Sequence, residues 1–290
     1  MDLFLQYLAN GIVIGSAYVL VAIGLTLIFG ILGVVNFAHG EFYMLGAYAG
    51  VLTVTLLGLP LIAALVVVIA FSAVLGVFAE AILHRALRER DMTSSIIASF
   101  GLAVALQNAA LLTIGPRPML LQTDLSMLAV EFGPVYLPLP RALIPVAMVV
   151  MVGLLFAVLR YTWTGRSLRA MAQHRTVARL CGVRVERVAM VTFMVGAGLA
   201  GVSGFLMSSV LMVTPVIGNM IVLKAFTVVI LGGMGDIMGA AVAGLLLGVV
   251  ETMTSAYLTN GLRDIIGFVI VIAVLLFRPQ GLFGKSVERS

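Results

Sequence analysis

Asn36, His39 and Glu41 stand within six residues of one another, in the stretch NFAHGE that follows the first long apolar run. Polar groups at membrane depth are costly, and where they occur they mark solute or ion pathways. Gly30, Gly33 and Gly40 surround the stretch. They permit an unwound backbone, which is tolerated at depth only beside protein or a water-filled cavity. The break either lines or gates a solute path, or it is a cytosolic turn with Glu41 near a helix N-terminus, where a carboxylate is favoured. A second break, Gly232-Gly233-Met234-Gly235-Asp236, has three glycines in four residues. It suits a tight reversal with Asp236 as N-cap of the next helix, either as a simple capped turn or as a hinge close to the path. Glu251 is the one carboxylate deep within an apolar run, so it is a candidate for the path unless it pairs with a neighbouring helix. Gln107 and Asn108 suit interhelical hydrogen bonds. Glu80 and Lys224 fall nearer run ends, and Glu80 is expected to snorkel toward the cytosolic surface.

Other chemistries find little support. His39, His84 and His174 are scattered, and no HExxH occurs. The single Cys181 cannot form an internal disulfide, and no metal-ligand spacing is present. Gly284-Lys285-Ser286 lacks the first glycine of a phosphate-binding loop, because Pro279 stands in its place. The chain itself is expected to bind neither ATP nor a metal.

The elements that must hold these residues follow from composition. Of 290 residues, 62% are hydrophobic and only 10% charged, against about 25% charged in a soluble domain. Mean hydropathy is +1.20. Apolar runs fall at about 4–29, 42–58, 61–83, 95–114, 142–159, 189–212, 220–233, 237–257 and 263–277. Most approach the ~20 residues that a helix needs to cross a bilayer. They do not alternate as strands of a membrane barrel would. The fold class is therefore all-α: a polytopic transmembrane helix bundle of eight or nine spans, with the short 220–233 run tilted, broken or re-entrant. Met1-Asp2-Leu3 lacks the basic start of a secretory signal, so the first run is expected to stay as a helix.

The net charge of +5 serves topology here rather than nucleic acid. Arg85, Arg88 and Arg90 cluster between two runs; seven arginines from Arg160 to Arg187 fill another connection; Arg278, Lys285 and Arg289 follow the last run. The positive-inside rule puts all three in the cytoplasm. The proline-rich 115–141 segment becomes the largest external loop, and the N-terminus also falls outside. Small residues recur at four-residue spacing: Gly11/Gly15, Gly46/Gly50, Gly196/Ala200/Gly204, Gly235/Gly239 and Ala240/Gly244/Gly248. Such faces let helix backbones approach closely. Residues 24–50 and 225–248 share a plan of apolar half, glycine break with one acidic residue, then small-residue helix. Transporters are often built from halves that repeat in this way.

The segment 160–188 is the most specific feature. Arg166–Leu180 has helical composition, Gly182 stops it, and a second short segment leads into the next span. A basic cytosolic helix–turn–helix is shaped for docking a soluble partner.

Three stretches carry a family resemblance. QHRTVARLCGVRVERVAMVTFMVGAGLAGVSGFL is similar to the coupling segment and following helix of the branched-chain amino acid permeases of ATP-binding-cassette importers. NGIVIGSAYVLVAIGLTLIFGILGVVNFAHGEFYMLGAY resembles their N-terminal signature, and AFTVVILGGMGDIMGAAVAGLLLGVVE with RPQGLFG resembles their C-terminal part. The resemblance runs nearly end to end and is nearer the shorter of the two permease subunits. It implies a single permease domain over 1–290 in a bacterial inner membrane, with the C-terminus cytoplasmic. It implies a second homologous permease, two cytosolic ATPases carrying ATP and Mg, and an external solute-binding protein. Gln173, Arg175, Ala178, Arg179, Leu180 and Gly182 would be the ATPase-coupling residues; Asn36, His39, Glu41, Gly232, Gly233, Asp236 and Glu251 would lie near the path or gate. The chain would be a transport subunit rather than an enzyme, and its solutes branched-chain or other hydrophobic amino acids. Urea, short amides or aromatic acids within the same importer class form the alternative. An ion-coupled secondary transporter would need intramembrane carboxylates, of which Glu251 alone lies deep in a run.

Overall fold

The computed structural model describes residues 2–87, 91–259 and 261–284. Arg88, Arg90, Lys285, Ser286 and Arg289, used above for topology and motif arguments, lie outside them. Nine long helices form the bundle among the described residues: α1 (Asp2–Leu32), α2 (His39–Leu57), α3 (Leu61–Ala79), α4 (Met92–Thr113), α5 (Leu139–Tyr161), α8 (Val185–Met207), α9 (Ile217–Gly232), α10 (Ile237–Tyr257) and α11 (Leu262–Phe277). Two short helices, α6 (Trp163–Gln173) and α7 (Arg175–Leu180), link α5 to α8. Seven of the helices are long and apolar enough to cross a bilayer, and α9 is a shorter apolar helix. The protein is a multi-pass membrane protein, and each expected apolar run is a helix.

Helices α1, α2 and α8 form the centre. Val19 to Ile23 of α1 are almost wholly enclosed, as are Phe42 to Met44 of α2 and Phe193 of α8. Helices α3, α4 and α5 turn large apolar side chains outward, among them Ile62, Val74, Ile97, Leu112, Val149 and Leu154. In a lipid solvent this outward face costs nothing, and helix association must come from close packing instead. The small-residue faces supply it. A Cβ on Gly248 of α10 would lie 2.3 Å from the Gly15 Cα of α1, and one on Gly46 of α2 would lie 2.3 Å from the Gly201 Cα of α8. No side chain fits either crossing.

The connection from α1 to α2 is unusual. Helix α1 runs 11 residues beyond Val21, a rise of about 16 Å. Yet His39, at the start of α2, returns to within 3.0 Å of the Val21 carbonyl. The chain therefore turns at Gly33 (φ +67°) and re-enters the bundle, and α2 begins at depth. The other glycine break, 233–236, is a tight turn. Asp236 caps α10 by accepting from the Gly239 amide at 2.6 Å. The C-terminal segment lies over this turn, with Leu282 and Phe283 amides donating to the carbonyls of Leu231 and Gly232.

Four findings differ from the sequence expectations. Glu80 does not snorkel: it is fully buried in a π-helical turn, Glu80–Arg85, that extends α3. Arg85 reaches back to it at 2.9 Å; that local ion pair removes the need to reach water. Lys224 is not near a span end but midway along α9, where it is buried. The helix expected over 166–180 is interrupted at His174, whose backbone is extended (φ −155°, ψ 100°). The turn of the helix–turn–helix is thus at His174, Gly182 ends α7, and α8 follows almost at once. Arg175 approaches His84 of the π-turn at 3.3 Å, a tertiary contact that local composition does not encode. Finally, the 115–141 loop contains an antiparallel hairpin, β1 (Ala129–Phe132) with β2 (Val135–Pro138), in register Ala129↔Pro138. Gln6 of α1 binds it through both the carbonyl and the amide of Tyr136.

Candidate functional site

Five side chains from four helices meet inside the bundle. Lys224 of α9 donates to Glu251 of α10 at 2.5 Å and to Asp264 of α11 at 2.7 Å. Arg263 of α11 donates through Nε to the other Glu251 oxygen at 3.2 Å. Tyr18 of α1 donates its hydroxyl to that same oxygen at 2.9 Å and accepts from Arg263 Nη2 at 3.3 Å. Glu251 is wholly buried, with both carboxylate oxygens occupied. Two cations face two carboxylates, so the cluster is formally neutral, which is how buried charge becomes tolerable. Gly267 of α11 leaves room for it: a Cβ there would lie 3.2 Å from Glu251 Oε1.

A cavity of about 460 Å³ lies between Tyr7, Asn10, Arg141 and Thr252 at the hairpin end of the bundle. A larger one, 690 Å³, adjoins the ion cluster. Tyr18, Lys224, Arg263 and Asp264 line it on one side. Met212, Val216, Ile217 and Met220, from the α8–α9 connection and the first turn of α9, line it on the other. The Asp264 side chain is 48% exposed and that of Arg263 31%, so both signs of charge face the opening.

The residues singled out in the first break are brought together differently. Asn36, His39 and Glu41 are all buried, so this break is not an exposed cytosolic turn. Asn36 Oδ1 accepts from the Ala38 amide at 3.0 Å, and the Phe37 amide donates to Ser99 of α4 at 3.1 Å. His39 Nε2 meets a carbonyl, which only accepts, so Nε2 carries the proton. Glu41 packs against the start of α9, where a Cβ on Gly218 would lie 2.6 Å from its carboxyl oxygen. Among the described residues no hydrogen-bond partner meets Asn36 Nδ2, His39 Nδ1 or Glu41 Oε2. The Gly232–Asp236 turn lies elsewhere, at the far end of α1, with Gly235 beside Gly30. Of these path candidates, only Glu251 belongs to the ion cluster.

The coupling candidates lie together on the connection between α5 and α8. Thr162 caps α6 by accepting from the Gly165 amide at 3.0 Å. Leu168 and Met171 turn inward, as does Ala178 of α7. Gln173, Arg179 and Leu180 face out, Leu180 at 83% exposure. Gly182 adopts φ +84°, a conformation that glycine takes without strain. Its amide closes the turn onto the Arg179 carbonyl at 3.1 Å.

Comparison with known proteins then decides the family. The pattern of the family described as "Branched-chain amino acid transport system / permease component" matches residues 7–275. The chain belongs to this permease family. It is 36% identical over 300 residues to the high-affinity branched-chain amino acid transport system permease protein LivH of Escherichia coli (strain K12), covering 99% of this chain and 97% of LivH. It is 35% identical over 301 residues to permease protein BraD of Pseudomonas aeruginosa, covering 99% and 98%. A weaker similarity, 26% over 290 residues, extends to LivM of E. coli, covering 91% of this permease and 67% of LivM.

Three members of the ion cluster, Tyr18, Arg263 and Asp264, were not singled out from the sequence. Arg263 and Asp264 stand at the start of the last apolar run, and Tyr18 stands within the first. The signal that could have found them is complementary: three successive apolar helices carry one cation, one anion and one of each, with a sum of zero.

Proposed function

We propose that this permease is one of two homologous membrane subunits of an ATP-driven importer. It carries leucine-type, hydrophobic amino acids across the bacterial inner membrane. The end-to-end family match carries the reading. Similarity to both LivH and LivM supports a heteromeric pair. Two cytosolic ATPases supply the energy, with ATP and Mg held on those subunits, and an external protein delivers solute. The N-terminus and hairpin face outward and the C-terminus inward, following the arginine distribution.

Segment 160–188 is the ATPase-docking segment. Exposed Gln173, Arg179 and Leu180 on a pair of short helices, the first capped by Thr162, present a ready contact surface, and buried Ala178 fixes it to the bundle. Closure of the ATPases on ATP moves this segment as a rigid body, and the bundle alternates its access. The re-entrant stretch with Asn36, His39 and Glu41, the Gly232–Asp236 turn and the Glu251 cluster lie along or beside the path.

The deciding experiment is uptake of labelled leucine at low concentration, in host cells with and without this chain. Loss on deletion, restored by the gene, is expected. Unchanged uptake in a host lacking other leucine importers overturns the amino acid assignment and moves the substrate to urea, short amides or aromatic acids. Gly182→Pro tests docking: proline cannot adopt φ +84° and lacks the amide that closes the turn. Transport is expected to vanish with membrane insertion intact.

A further inference from the structure

We propose that the 690 Å³ cavity beside the ion cluster is a binding site for the zwitterionic end of an apolar amino acid, held by Asp264, Arg263 and Lys224. The proposal rests on the amino acid transport proposed above and says where in this chain the solute is held.

The geometry supplies what such a solute needs. Its ammonium requires a carboxylate with an unoccupied oxygen. Asp264 gives one oxygen to Lys224 at 2.7 Å, and nearly half of its side chain remains exposed at the cavity. Its carboxylate requires cationic donors. An ammonium has three donors and a guanidinium five. Contacts in the cluster use two of those of Lys224 and two of those of Arg263. Both residues line the cavity. The solute side chain requires an apolar wall, which Met212, Val216, Ile217 and Met220 provide, all within reach of the charged side.

Charge balance favours a zwitterion over an ion. The cluster is already neutral, so an added net charge would stay uncompensated in a low-dielectric site, whereas a zwitterion adds none. Glu251 lies behind the three contact residues, and Tyr18, which donates its hydroxyl to Glu251, lines the cavity beside them. Glu251 takes no solute contact, because it is wholly buried and does not line the cavity. It positions Lys224 and Arg263 at the correct spacing. The cavity wall includes the α8–α9 connection, whose Val213 pairs with Met119. The site is therefore reached from the hairpin end.

The test uses the assembled transporter, with its ATPases and binding protein, in proteoliposomes. Leucine uptake is expected to fall about tenfold or more in Asp264→Asn, which loses the ammonium acceptor, and in Met220→Trp, which fills the cavity without touching an ion pair. Ile62→Trp, on the lipid-facing side of α3, is expected to transport normally. In a Cys181→Ser background, Met220→Cys is expected to react with a water-soluble thiol reagent. Leucine should slow that reaction; 4-methylpentanoate and isoamylamine, each lacking one charged end, should not. If the wild-type transporter carries leucine, normal uptake by Met220→Trp, or labelling of Met220→Cys that is indifferent to leucine, overturns the site and leaves the transport function standing. Equal protection by all three compounds overturns the zwitterion assignment. Wild-type transporter that carries no leucine removes the amino acid reading, and this site with it.

Discussion

Two polar regions lie inside this bundle, and they solve the same problem in opposite ways. The Lys224–Glu251–Asp264–Arg263 cluster contains full charges, pairs each of them, and borders an open cavity. The Asn36–His39–Glu41 stretch is enclosed by protein, carries no described ion pair and leaves several polar atoms without partners. In the first region the ions hold the helices and the helices hold the ions. In the second the backbone path is set by close packing around Gly24, Gly40 and Gly218, and the polar side chains accompany it. Burial by itself therefore does not reveal how much of a membrane fold depends on a polar residue; the partners do.

Substitutions in the two regions test that contrast. The largest effect is expected from Lys224→Met, which strands Asp264 and leaves Glu251 with one cation. Breaking a buried pair from one side costs about 3–5 kcal/mol, visible as a lower midpoint of thermal aggregation in detergent. The double variant Lys224→Met/Glu251→Gln should recover part of that loss, and a single variant as stable as wild type would erase the distinction between the regions. Glu251→Gln alone should cost about 2 kcal/mol, since it weakens hydrogen bonds to charged partners but keeps the shape. Its effect should shrink in an Arg263→Gln background, a coupling that a double-mutant cycle reads directly. Asn36→Ala should cost about 1 kcal/mol, the loss of one bond to the Ala38 amide. The smallest effect should be that of Glu41→Gln, within about 0.5 kcal/mol, because no cation faces this carboxyl among the described residues. A large loss of stability there would mean that Glu41 is held by charge, as Glu251 is.

Much of this was legible in the sequence, for local reasons. Hydropathy gave the helices because each crossing must satisfy its own backbone hydrogen bonds. Four-residue spacing of Gly244 and Gly248 marked a close crossing, because i and i+4 share a helix face. Asp236 stood out as a cap because capping involves only the next three residues. The errors were of another kind. Glu80 looked like a residue reaching for water, since its pairing with Arg85 depends on a π-turn. Residues 166–180 looked continuous, since nothing local announces the break at His174.

That this is a membrane helix bundle, where its apolar helices run and which glycine faces suit close packing were all legible along the chain, because these properties follow from solvent and from periodicity along one helix. The return of His39 to the level of Val21, the joining of Lys224, Glu251, Arg263 and Asp264 in one neutral cluster, and the cavity beside that cluster emerge only from the folded bundle. Those facts depend on how α1, α9, α10 and α11 are rotated against one another. Helix rotation in lipid is fixed by packing and by mutual charge satisfaction across the bundle, and neither can be read along a single segment of chain.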